Sequence, residues 1–128
     1  MLFRSSGQGA AQEIYLGITR SLNVVSPGDG LISHEKEYPV FKWEGIGYDR
    51  FKVQFSSTRD FIDNWTTVTF PWSDDSWLYE TSFTPVKWQA GQLNRLREKQ
   101  QPLYWRVLAR DKYGNEKTSQ VRSFIMAK

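Results

Sequence analysis

Three segments of this chain alternate so regularly that they constrain the fold class by themselves. They are Phe41-Lys-Trp43, Phe51-Lys-Val-Gln-Phe-Ser56 and Tyr104-Trp-Arg-Val-Leu-Ala-Arg-Asp111. Successive side chains of a β-strand point to opposite faces, so each segment carries one apolar and one polar or basic face. Phe51, Val53 and Phe55 point one way, and Arg50, Lys52 and Gln54 the other. Leu103, Trp105, Val107 and Ala109 repeat the pattern. Such strands belong to a two-sheet protein, with one face in the core and one in water.

The rest of the chain reads as short strands separated by turn chemistry. Residues 1–11 are rich in Gly, Ser, Gln and Ala and are expected to be flexible. The segment from Gln12 to Thr19 puts Ile14, Leu16 and Ile18 on one face, the pattern of an extra strand. A strand with such a face completes its own sheet, or it adds to the edge of a neighbouring copy or partner domain. A strand at 22–26 is stopped by Pro27-Gly-Asp-Gly30. Strands follow at 38–43, 51–56 and 65–70, with Gly45 and Gly47 allowing a tight reversal between the first two. Residues 77–83 are expected to be extended, 103–111 a strand, Tyr113-Gly-Asn115 a hairpin turn, and 119–126 the last strand. Only 90–99 resembles a helix, with Leu93 and Leu96 three apart, and it promises one or two turns. The expectation is an all-β two-sheet sandwich of about seven strands plus an N-terminal extra strand. Residues 1–20 form an extension and 21–128 the domain.

Composition narrows the chemistry. With no cysteine in 128 residues, disulfide staples, thiolate nucleophiles and cysteine–zinc sites are excluded. No apolar run approaches the roughly 18 residues that span a bilayer. The opening residues lack a basic stretch followed by an apolar one, so they read as no signal peptide; an exported protein would have lost it. The net charge of +3 is unevenly spread: residues 1–86 carry 7 Lys/Arg against 11 Asp/Glu, and residues 87–128 carry 10 against 3. A basic C-terminal part attracts anionic partners, or its charges are balanced by the acids of the first part once folded.

Candidate site residues fall into three groups. For catalysis, His34 is the only histidine, beside Glu35 and Glu37, and no nucleophile motif accompanies it. Asp74, Asp75 and Glu80 do not have the spacing of a calcium loop, so no metal is expected. For recognition, Trp65, Trp72, Trp77 and Trp88 remain once Trp43 and Trp105 are assigned to the core. Aromatic faces stack on sugar rings and anchor protein interfaces; alternatively these rings cover the ends of the domain. Alternation turns Thr66, Val68 and Phe70 inward and Trp65, Thr67 and Thr69 outward. The third group is basic: if strands 51–56 and 103–111 are neighbours, Arg50, Lys52, Tyr104, Arg106 and Arg110 share an outward face. Like charges at cross-strand range repel, so acids from another segment, an acidic partner domain or an anionic polysaccharide should offset them, and cation–π contact with Tyr104 would soften the repulsion. Nucleic acid is not expected, since no groove-entering element is present.

Taken in order, several motifs resemble fibronectin type III-like domains of bacterial surface and secreted proteins. They are Pro27-Gly-Asp-Gly30, Pro39-Val-Phe-Lys-Trp43, Phe51-Lys-Val-Gln-Phe-Ser56, Asp60-Phe61, Ser82-Phe-Thr-Pro85, Tyr104-Trp-Arg-Val-Leu-Ala109, Asp111-Lys-Tyr-Gly-Asn115 and Val121-Arg-Ser-Phe124. The resemblance spans residues 21–126. It implies an immunoglobulin-like sandwich with Trp43 as core tryptophan of the second strand, and Trp105, Val107 and Ala109 on the core face of the sixth. Many relatives place a tyrosine where this chain has Leu103, so Tyr104 would have to supply any loop tie from the other face. The resemblance implies a non-catalytic module of a larger extracellular, cell-surface or periplasmic protein, serving spacing, assembly or protein contact, without a cofactor. The alternative is a carbohydrate-binding accessory module using its tryptophans. Asn64-Trp-Thr66 fits a glycosylation acceptor, a chance match in a bacterial protein.

Overall fold

A computed structural model of the chain describes residues 2–5, 11–15, 18–63 and 65–127, with the backbone alone for 2–5, 11–15, 18 and 19. The described residues form eleven strands and one helix: β1 (Leu2–Ser5), β2 (Ala11–Tyr15), β3 (Ile18–Ser26), β4 (Leu31–Ser33), β5 (Phe41–Ile46), β6 (Arg50–Ser56), β7 (Thr67–Phe70), β8 (Ser82–Phe83), α1 (Lys87–Lys99), β9 (Leu103–Arg110), β10 (Glu116–Thr118) and β11 (Arg122–Met126). The first sheet runs β1-β2-β3-β5-β8. The second runs β4-β11-β9-β6-β7, with β10 also paired to β9.

The two sheets enclose one core. Leu22 and Val24 on β3, Phe41 and Trp43 on β5, and Phe83 on β8 come from the first sheet. Phe51, Val53 and Phe55 on β6, Phe70 on β7, Leu103, Trp105, Val107 and Ala109 on β9, and Phe124 and Met126 on β11 come from the second. Phe41 ties the layers together: its ring lies edge-on to Phe55 at 4.9 Å, Trp105 at 5.0 Å and Phe124 at 5.4 Å. Edge-to-face pairs of this kind add about 0.5–1.5 kcal/mol each beyond the area they bury. The inward residues read from alternation on β6 and β9 are all buried.

The short elements depart from the sequence expectation. Segment 12–19 is not one strand. β2 ends at Tyr15 and β3 starts at Ile18, while Leu16 lies outside the described residues. β2 is hydrogen-bonded on both sides, to β1 and β3, and β1 occupies part of the stretch expected to be flexible. β4 follows the Pro27–Gly30 turn and pairs parallel with β11, a long-range match with no local signal. Trp65 and Thr66 form a turn ahead of β7, and most of 77–83 is irregular apart from a bridge between Phe51 and Leu78 and the short β8.

The helix is longer than expected, with 13 residues. Its start carries no Ser, Thr, Asp or Asn signal because Val86 holds the N-cap position. The Gln89 side chain accepts the Val86 N–H at 2.9 Å instead. Leu93 and Leu96 are its buried residues, and Arg97 and Lys99 sit in the last turn, where the helix dipole favours cations.

Candidate functional site

The pairing of β6 with β9 places Arg50 opposite Arg110, Lys52 opposite Leu108, Gln54 opposite Arg106 and Ser56 opposite Tyr104. The five candidates of the basic stripe therefore do share an outer face. Two loops fold over part of that face. Lys52 is only 7% exposed. Its Nζ donates to the carbonyls of Pro71 at 3.2 Å and Ser73 at 2.6 Å, and lies 4.7 Å from the centre of the Trp77 ring. Arg110 approaches the same ring at 5.7 Å. Arg106 donates from Nε to Gln54 at 2.7 Å, and its guanidinium lies 4.2 Å from the Phe61 ring. Burial pushes the pKa of Arg106 down from its ordinary value, though a guanidinium remains cationic. Arg50 pairs with Asp49, and that bond holds the Asp49 carboxyl below its usual range. Tyr104 receives the Arg59 guanidinium on its ring at 4.9 Å, so it ties down a loop through its face.

Phe61 explains how the first loop reaches the stripe. Its φ of 57° lies in the left-handed region, which a bulky residue adopts at a cost of order 1–3 kcal/mol. The ring is nevertheless buried, over Arg106. Carbonyl oxygens and aromatic faces, more than carboxylates, are what offset these charges. Sequence reading names acids, anionic partners and a cation–π contact with Tyr104, but not the loop carbonyls or the Trp77 and Phe61 rings.

The four candidate tryptophans separate. Trp77 is half-buried between Lys52 and Arg110. Trp65 is 80% exposed, and its carbonyl accepts from Lys99 at the far end of α1. Trp72 and Trp88 are 78% and 56% exposed and line one groove of about 340 Å³. Phe70, Leu78 and Phe83 also line it, with Ser73, Ser76 and Gln89 as the polar groups. Trp88 meets Phe70 edge-on at 5.9 Å, which anchors the indole at the start of α1. Residues 88 and 99 are about 16 Å apart along a helix, so Trp65 does not belong to this groove. Tyr79 and Ile62 are also exposed, and neither was singled out from the sequence.

The other candidates bring no chemistry together. His34, Asp74, Asp75 and Glu80 are exposed. No group of three His, Asp or Glu side chains that could hold a metal occurs among the described residues. Asn64 lies outside them. Among the described residues no helix is long and apolar enough to cross a membrane. The buried ion pair is structural: Arg20 on β3 meets Asp111 at 2.9 Å, joining the first sheet to the β9–β10 turn. There Asp111 also accepts the N–H groups of Tyr113 and Asn115 and the Asn115 amide.

One groove escaped sequence reading altogether. It measures about 560 Å³ and lies between residues 36–38 and α1. Tyr38 Oη donates to Asn94 Oδ1 at 2.6 Å, and the Arg97 guanidinium lies 5.6 Å from the Tyr38 ring. Burial pushes the Tyr38 phenol up to about 12 although Arg97 pulls it down, so the hydroxyl stays protonated. Arg97 Nη1 donates to the Met126 carbonyl at 3.1 Å, while its Nε is buried without an acceptor. Residues 36 and 97 are too far apart for any local pattern to announce the pairing. Comparison with protein-family models, with curated proteins and with solved structures found no match to the chain.

Proposed function

We infer that this chain is a fibronectin type III-like sandwich, a non-catalytic module of a larger exported or cell-surface protein that works by contact in assembly or spacing. The two sheets closed on a core containing Trp43 and Trp105 support the fold reading. The observation that carries the functional reading is the groove flanked by Trp72 and Trp88. Large indoles left in water around an apolar floor are the composition of interface anchors. Its volume sits at the small end of ligand sites, roughly 300–1,000 Å³. The same exposure favours the second reading, a carbohydrate-binding accessory module, because a sugar ring presents an apolar C–H face that stacks on an open indole. The pairing of β2 on both sides supports self-completion of the N-terminal strand; among the described residues β1 is the outermost strand on that side, where any strand addition would occur.

Acrylamide quenching of tryptophan fluorescence tests the contact reading. The free chain should quench strongly through Trp65, Trp72 and Trp88. A panel of polysaccharides and of neighbouring domains from the parent polypeptide should contain a partner that shields the indoles. Trp72→Ala with Trp88→Ala should abolish that shielding and leave folding intact. Shielding that survives the double substitution, or hydrolytic activity in the purified chain, would refute the assignment.

A further inference from the structure

The groove between residues 36–38 and α1 collects charge of one sign. Lys36, Lys87 and Arg97 line it against a single acid, Glu37. Among the described residues no carboxylate pairs with any of the three cations. Arg97 is the telling member. A guanidinium cannot shed its proton, and here it is half-buried, stacked on Tyr38 and satisfied only by one carbonyl at Nη1. A half-buried charge with one carbonyl acceptor is costly until a counter-ion meets its open side. The first turn of α1 adds to the positive field, since it carries no acidic residue.

We propose that this groove binds the carboxylate of an acidic saccharide, a uronic acid unit within a polysaccharide. The carboxylate lies against Lys36, Lys87 and Arg97, the last offering its Nη2 donors, since Nη1 is held by the Met126 carbonyl and Nε is buried. Two observations favour a sugar over an acidic peptide. First, the walls are helix and loop, with no strand among the lining residues, so an extended peptide finds no edge to pair with. Second, Lys87 and Trp88 are successive residues at the helix start and line adjacent grooves. A uronate against Lys87 brings the next ring of its chain towards the exposed Trp88 indole. The acids Asp74 and Asp75 lie in the turn beside Trp72, which keeps the anionic subsite on the Lys87 side. This inference rests on the carbohydrate-binding reading and supplies its ligand class.

Titration of the purified chain with tetragalacturonate, followed by amide NMR and calorimetry, tests it. The Lys87 and Asn94 amides should shift, and 0.5 M NaCl should weaken binding, as it screens exposed charge. The methyl-esterified tetrasaccharide, with the same rings and no charge, should not bind. Lys36→Glu with Lys87→Glu, both at exposed positions, should weaken binding roughly tenfold or more while the urea midpoint holds. No shift at Lys87 and Asn94, unchanged binding in the charge-reversal variant, or equal binding of hexaglutamate would overturn the proposal. Trp72→Ala separates the two readings. Loss of uronate binding in that variant, together with unchanged binding in the charge-reversal variant, would place the ligand in the tryptophan groove, sinking this subsite and leaving the carbohydrate-binding reading standing.

Discussion

Gly45→Ala should destabilise this protein, and the sign of the effect is the test. Gly45 lies inside β5, paired with Leu22 on β3. A glycine within a strand ordinarily costs roughly 0.5–1 kcal/mol relative to alanine, so an unobstructed replacement would stabilise. Here it is obstructed. An added Cβ would lie 2.6 Å from Phe51 Cζ and closer still to Cε1. Carbon atoms rest at about 3.5–4.0 Å, so the overlap is about 1 Å. The ring cannot retreat: it is buried, edge-on to Trp43 at 5.7 Å, and its backbone is bridged to Leu78 by hydrogen bonds of 2.7 and 2.8 Å. Overpacking of this kind costs about 1–3 kcal/mol, which outweighs the backbone gain and leaves a net loss of about 1–2 kcal/mol. With a urea m-value of about 1–3 kcal/mol/M, the midpoint should fall by roughly 0.3–2 M. The buried indoles of Trp43 and Trp105 report unfolding through their fluorescence. Phe51→Leu should cancel the penalty, so the pair should show a coupling energy in a double-mutant cycle. A raised midpoint for Gly45→Ala, or strict additivity with Phe51→Leu, would refute the packing argument.

Two further outcomes follow from the covered stripe and the buried ion pair. Trp77→Ala removes the ring shared by Lys52 and Arg110 and should cost about 1–2 kcal/mol and quicken proteolysis of the 71–77 loop, whereas Trp65→Ala should stay within about 0.5 kcal/mol; equal effects would mean Trp77 is not a clamp. Burial raises the Asp111 carboxyl, but its hydrogen bonds from Asn115 and Tyr113 and the charge of Arg20 outweigh that and hold it below the usual range. Its contribution is therefore present above the unfolded value of about 3.9 and lost as pH falls through the folded value. Urea midpoints measured from pH 6 to 2 should show a shallower acid loss in Asp111→Asn, and an unchanged slope would remove Asp111 from the acid response.

What the sequence determined by itself is local and periodic. A side-chain period of two assigns Phe51, Val53, Phe55, Trp105, Val107 and Ala109 to the core, because a one-residue slip would turn every one of them to the other side. Trp43 was legible for the same reason, and the turns at Gly30 and Gly114 because each adopts a positive φ that glycine tolerates. Helix α1 was only half-legible, since its N-cap is a valine and its start lacks the usual polar signal. Strand β4 was not legible, because its partner β11 lies about ninety residues away and parallel pairing leaves no hairpin signature. The functional surfaces belong to tertiary structure for a related reason. Alternation says which way Lys52 and Arg106 point, but not that loop carbonyls, Trp77 and Phe61 would close over them. Composition counts exposed indoles and buried ones alike. Only the packing of α1 against β7 puts Trp88 beside Trp72, and only the meeting of residues 36–38 with that helix gathers Lys36, Lys87 and Arg97 into one groove. Periodicity encodes direction, whereas a site needs proximity, and proximity between distant residues is fixed when the sheets and helix pack.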